Sequence, residues 1–249
     1  MGSDVSSSPV EASWTHLRAF GSAFLVVALV VLVASIAVSL GMPLLDAAGI
    51  ARESALGLAL RSAFQFVGFG VAGVGYLLAT GQTDLLSIRF PTRRDLVWLA
   101  LGLFGLLALY GGITVVLDAL GIEGADSAIV AQGTDQPVYF LYLVPVTVLL
   151  VGPAEELIFR GIVQGLFRRA YGPAFAIAAA SAVFAAIHVT SYSGDGLLAT
   201  LATVLVLGAT LGTVYERSGN LAVPAVVHGL FNTVQFVAVY ATTTGLVNW

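Results

Sequence analysis

The chain has 249 residues, of which 58% are hydrophobic and 10% charged, and its mean hydropathy is strongly positive. That balance lies outside the range of soluble globular domains, and a net charge of −4, with ten arginines and no lysine, offers no basic surface to a nucleic acid. Cysteine is absent, which excludes disulfides, thiolate metal sites and a thiol nucleophile.

Residues 1–16 are Ser-rich and irregular, and they predict a mobile cytoplasmic tail rather than a signal peptide, because the apolar run that follows is too long for a signal. Met1 to Ser6 fits the myristoylation pattern, a short pattern that is frequent by chance. A bilayer core is crossed by roughly 20 apolar residues in helical form. Segments of that kind fall at about 20–41, 55–79, 96–117, 138–167, 172–190, 197–214 and 221–242. The alternation of apolar and polar residues expected of a β-barrel is missing, so helices must satisfy the backbone in lipid. The expected fold is an all-α polytopic membrane bundle of about seven transmembrane helices, eight at the upper count. Residues 17–249 form a single membrane-embedded domain in this scheme, with the polar motifs in a core at 138–242.

Arginines set the expected orientation. With the N-terminus in the cytoplasm, inner loops hold Arg18, Arg89, Arg93, Arg94, Arg168, Arg169 and Arg217, and outer loops hold only Arg52. The outer loops collect acids instead, among them Asp46, Glu53, Asp118, Glu123, Asp126, Asp135 and Asp195. An odd number of spans obeying the positive-inside rule gives this asymmetry.

Within the spans the remaining charges are Arg61, Glu155, Glu156 and Arg160. A charge at mid-bilayer costs ~2.5–3.5 kcal/mol on insertion scales, so such residues face a polar interior and mark function. Arg61 is the least informative, since snorkelling or a simple pairing accounts for it. In the fourth span Glu156 and Arg160 are four residues apart and can pair on one helix face, whereas Glu155 points about 100° away and can enter a separate cavity. His188 ends the stretch Phe184-Ala185-Ala186-Ile187-His188 of the fifth span. In the seventh, His228 and Asn232 share one face. The turn Tyr171-Gly172-Pro173 lies midway between residues 155 and 188, so an antiparallel hairpin there sets Glu155 and His188 at equal height. His228 starts nearer the inner surface by ~10 Å at the α-helical rise, a mismatch that calls for tilt or a re-entrant start near Pro224.

These three segments, Glu155-Glu156-x-x-x-Arg160, Phe184-x-x-x-His188 and His228-x-x-x-Asn232, resemble the signature motifs of the CPBP family of intramembrane proteases, which comprises type II CAAX prenyl endopeptidases and Abi-like membrane proteases. The resemblance spans residues 152–232 and keeps the family's motif order. It implies an intramembrane endopeptidase that hydrolyses a peptide bond in a hydrophobic or lipid-modified, CAAX-like segment. Glu155 would be the general base, His188 would position the water, and His228 and Asn232 would donate to the oxyanion. Glu156, Arg160 and Phe184 would stand behind them. No cofactor is expected in that mechanism; in an alternative one, Glu155, His188, His228 and Asn232 hold a divalent metal such as zinc, whose bound water is the nucleophile. The expected partners are the lipid bilayer and a hydrophobic or lipid-modified peptide, and the expected location is a cell membrane crossed many times, the plasma membrane in a prokaryote. Two other functions use the same residues: a catalytically silent scaffold or immunity protein, and a proton-coupled transporter with Glu155, His188 and His228 as relay.

Several other motifs lead elsewhere. His-Glu-x-x-His and Gly-x-Ser-x-Gly are absent. Gly68-Phe69-Gly70-Val71-Ala72-Gly73 matches a dinucleotide fingerprint but lies in an apolar span and follows no strand, so close helix packing is its expected role, as for Gly161/Gly165 and Gly208/Gly212.

Overall fold

The computed structural model describes residues 9–247. Seven helices are long and apolar enough to cross a membrane: Thr15–Ala47, Ala55–Thr80, Arg93–Ala119, Val138–Tyr171, Pro173–Ser191, Leu197–Ser218 and Ala222–Thr243. They are named here as the first to seventh spans, and they make the chain a multi-pass membrane protein. The first helix begins at Pro9, so residues 9–16 extend the first span where the composition predicts an irregular tail. Proline suits a helix start because its missing N–H has no intrahelical partner there. Met1 to Ser6, with its myristoylation pattern, lies outside the described residues.

Local chemistry sets the ends of the spans. Ser54 caps the second span through Gly57 N, and a Thr92/Asp95 capping box opens the third. At the expected hairpin Gly172 adopts φ +84° and Pro173 follows as the first helical residue. Only a residue without Cβ takes that conformation cheaply. The loops carrying the arginines gather at one end of the bundle. There Arg169 pairs with Asp84, Arg168 with Glu216 and Arg89 with Asp95. The loop between the second and third spans is also stitched to the turn between the sixth and seventh: Leu221 N donates to Ser87 O, and Asn220 Nδ2 to Arg89 O. At the opposite end Asp126–Ser127 pairs antiparallel with Tyr192–Ser193, joining the segment after the third span to that after the fifth.

The fourth span is the axis of the molecule. It alternates α-helix with two π-helical stretches, Thr147–Val151 and Leu157–Gln164, which flank the short α segment Gly152–Glu156. π turns are rare and concentrate at functional sites. Pro153 lies between the two stretches and removes one donor from the backbone ladder. From Ile158 to Gln164 every residue is buried. Arg61, by contrast, is exposed on the second span and forms no ion pair among the described residues.

Glycines decide how closely the neighbouring spans approach. A Cβ on Gly152 would meet Ala225 O at 2.6 Å and Gly229 N at 3.0 Å, so the fourth and seventh spans touch backbone to backbone. Gly68 likewise abuts Ala34 on the first span, and Gly208 faces Phe184 and Ser181. Gly161 and Gly165 instead receive Leu86 and Leu85 of a loop. The fingerprint-like glycines thus serve packing, except Gly70, which has open space. The turn before the seventh span is itself buried, with Ser218, Asn220 and Leu221 inside the protein, and that span crosses the fourth at Gly152, so the height mismatch predicted for His228 does not keep it from the fourth span.

Gly152→Ala is expected to lower stability by about 1–3 kcal/mol through overpacking, whereas Gly70→Ala leaves it unchanged or slightly raised. Thermal unfolding of the two variants in one detergent checks the contrast.

Candidate active site

The Gly152–Gly229 crossing determines what meets what. Glu156 lies one turn beyond Gly152 and His228 is adjacent to Gly229, so the backbone contact brings their side chains together. His228 Nδ1 donates to Glu156 Oε1 at 2.9 Å. The other carboxylate oxygen of Glu156 lies 3.3 Å from Arg160 Nε, the ion pair expected from their spacing. Glu156 and Arg160 are almost wholly enclosed, at 0% and 1% exposure. Two charges taken out of water are tolerated only when pairing and hydrogen bonds compensate them. Arg160 is held further by donating Nη2 to Gly208 O at 2.9 Å, and its guanidinium lies 4.6 Å from the Phe184 ring centre.

Because His228 Nδ1 is committed to Glu156, its Nε2 points away from that pair. It stands 3.6 Å from Glu155 Oε2, the one ionic contact of Glu155 among the described residues. That separation is too long for a direct hydrogen bond. A small molecule beside the two atoms would reach both. The side chains of Glu155 and His228 are 9% and 8% exposed, so the two face each other largely shielded from solvent.

Phe184 is the hub of the aromatic packing. Its ring meets Phe159 at 5.0 Å, His188 at 4.5 Å and His228 at 6.0 Å between centroids. One phenylalanine ring thus contacts both histidines. His188 follows directly on the last residue of the fifth α-helix, where the chain tightens into a 3₁₀ turn, near the end of the span as its predicted boundaries place it. Its Nδ1 is bonded to Phe184 O at 2.7 Å, which leaves Nε2 for other work. No direct contact joins His188 to Glu155 among the described residues. Asn232 is oriented by Thr147, to whose Oγ1 it donates at 3.3 Å.

Sequence reasoning passes over four residues here. Thr147 is fully buried beneath Asn232; an intramembrane Thr ordinarily bonds its own helix, so nothing singles it out. Tyr192, just beyond the fifth span, has its ionisation pushed upward by burial first and then by Tyr110 and the Glu155 carboxylate. It remains a neutral O–H in the electrostatic range of Glu155. Tyr110 in turn stacks edge-on against Phe231 at 5.8 Å. Gln164 is buried in the fourth span and bonds to Gly212 O and Glu216.

A metal would need several donors converging on one point. No group of three or more His, Asp or Glu side chains able to hold one occurs among the described residues. Of the four residues in the metal alternative, His228 Nδ1 is bonded to Glu156, His188 Nδ1 to Phe184 O, and Asn232 to Thr147.

Residues 137–234 match the family model described as type II CAAX prenyl endopeptidase Rce1-like. That segment is similar to the family, over less than half of the chain. It takes in all of Glu155, Glu156, Arg160, Phe184, His188, His228 and Asn232 and leaves the first three spans outside the match. The match supports a membrane protease of the CAAX type. No curated protein and no solved structure matches the chain.

Arg160→Met leaves Glu156 buried without its cation and is expected to cost about 3–5 kcal/mol. The double variant Glu156→Gln/Arg160→Met removes both charges and recovers much of that loss. Unfolding midpoints of the two in detergent check this, and an equal loss in both would show that the ion pair does not set the stability of the site.

Proposed function

We propose that the protein is an intramembrane endopeptidase that hydrolyses a peptide bond in a hydrophobic or lipid-modified, CAAX-like segment, with water as nucleophile and no metal. The observation that carries this is the placement of the Glu155 carboxylate 3.6 Å from His228 Nε2, both largely buried, with the other nitrogen of His228 held by the Glu156–Arg160 pair.

Peptide hydrolysis needs a base for the water and donors for the charge that develops on the carbonyl oxygen. Glu155 takes the proton as water attacks, then delivers it to the departing amine nitrogen. His188 holds the water through Nε2, since its Nδ1 is fixed to Phe184 O. His228, kept on Glu156 through Nδ1, offers Nε2–H to the oxyanion, and Asn232 on the same face adds a second donor. Glu156 and Arg160 keep His228 in place and touch no reacting atom.

The arginine-rich end faces the cytoplasm in this scheme, as the positive-inside rule requires, and the membrane is a cell membrane. A substrate tail then enters from the bilayer or its cytoplasmic surface. The family description supports a prenylated tail; a hydrophobic peptide without a lipid is the control.

Glu155→Gln keeps the side-chain volume and removes the base. Cleavage of a farnesylated CAAX peptide by the purified protein in proteoliposomes is expected to fall by about 100-fold or more, with the unfolding midpoint nearly unchanged. Full activity in the variant removes Glu155 from the mechanism. Activity that a chelator abolishes and zinc restores replaces the metal-free scheme. A wild-type protein that cleaves nothing but carries protons across liposomes is a transporter.

A further inference from the structure

Beyond the catalytic group, one feature of the fourth span is unaccounted for. Glu156, Arg160, Gln164 and Arg168 recur at intervals of four residues. In an α-helix such residues drift by about 40° per step. Between Leu157 and Gln164 the helix is π, with bonds reaching back five residues, and from Gly165 it is α again. Opposite it, Gly208, Gly212 and Glu216 recur at the same interval on the sixth span. The two rows face each other rung by rung: Arg160 Nη2 donates to Gly208 O, Gln164 Nε2 to Gly212 O at 3.2 Å and to Glu216 Oε1 at 2.9 Å, and Arg168 Nε lies 3.2 Å from Glu216 Oε2. A polar seam thus leads from the arginine-rich surface to Glu156 and His228.

The seam contains one fully buried cation and a carboxylate on each side of it. Arg160 has Glu156 toward the site and Glu216 toward the surface, and between Arg160 and Glu216 stands the neutral amide of Gln164. Arg160 Nη1 and Gln164 Oε1 are both buried without a protein partner, a donor and an acceptor one turn apart, and Ser181 Oγ is a third such atom beside Gly208. Buried groups of this kind are met by an internal water.

Resting on the peptidase reading, we propose that Gln164 is a positioning residue for the reaction. Its amide, joined to Arg160 through a buried water that Ser181 also meets, occupies Glu216 and keeps the guanidinium paired to Glu156. Glu156 in turn holds His228 by Nδ1 and presents Nε2 to Glu155. Without the amide, Arg160 slides one turn, about 5.4 Å, toward Gly212 O and Glu216, and Glu156 releases the imidazole.

The test compares Gln164→Met, an unbranched replacement without polar atoms, with Glu216→Gln and with the double variant, in the full chain in proteoliposomes. Gln164→Met is expected to lower kcat by about tenfold, with KM little changed. Glu216→Gln keeps an acceptor for the Gln164 amide, loosens only the pair with the exposed Arg168, and leaves the Arg160–Glu156 pair intact, so kcat stays near wild type. The double variant regains most of the lost kcat, because the competing carboxylate is gone. A residue that merely fills space gives the opposite result, in which Glu216→Gln adds to the defect, and that outcome overturns the proposal. The second readout is ¹⁵N NMR of histidine-labelled protein, tractable because the chain has only three histidines. The Nδ1–H that His228 gives to Glu156 is expected to show as a hydrogen-bonded proton in the wild type and the double variant, and that signature is expected to be lost in Gln164→Met. An unchanged His228 signal in Gln164→Met also overturns it. The NMR arm needs no turnover, so a protein that cleaves no peptide refutes the peptidase reading while the imidazole signal still decides the seam. Gln164→Leu takes the place of the Met variant should the latter not fold.

Discussion

The pairing of Glu156 with Arg160 inside the membrane is the constraint from which the rest of the site follows. A lone carboxylate or guanidinium at that depth is expensive, so each needs the other. Both also need neutral donors and acceptors for their remaining valences. His228 supplies one to Glu156, while Gly208 O and the Phe184 ring supply others to Arg160. Three spans are thereby locked to the fourth around one ion pair. The backbone-to-backbone contact of Gly152 with Gly229 is its steric counterpart. A Cβ there would hold the helices apart and lengthen the His228–Glu156 bond.

Adjacent carboxylates divide two tasks by helical angle. A step of about 100° sends Glu156 into the interhelical seam and Glu155 toward His228 Nε2. Had the acids been four residues apart, both would have faced Arg160. Their adjacency gives one glutamate a structural partner and leaves its neighbour to interact with whatever enters the site. The imidazole links the two, with one nitrogen on each side of that division.

Much of this was legible in the sequence, for physical reasons. Apolar runs of bilayer length cannot hide, so the seven spans are visible directly, and Gly172-Pro173 marks its hairpin because those residues do at a turn what others cannot. The rarity of polar side chains in the spans points to Glu155, Glu156, Arg160, His188, His228 and Asn232, and the four-residue spacing gives the Glu156–Arg160 pair. The pairing of His228 with Glu156 was not legible, since it depends on a helix crossing that two ordinary-looking glycines permit. Nor were the π stretches, which leave no period of their own in a segment that is buried all round. The helical start at Pro9 is masked by a polar, Ser-rich composition. Thr147 and Gln164 escape notice because each is unremarkable until its partner on another span is known.

The polar row along the fourth span passes from a short α segment through the π stretch and back into α-helix. Its rungs meet Gly208, Gly212 and Glu216, which recur at the same interval on the regular α-helix of the sixth span. Arg160 and Gln164 themselves sit in the π stretch, where the backbone ladder is less regular and Pro153 already interrupts it. The glycines opposite contribute carbonyls and free space, where any larger residue would displace the amide or the guanidinium. Backbone irregularity on one helix and missing side chains on the other are thus two halves of one arrangement, and both serve to keep a buried arginine beside the glutamate that holds His228.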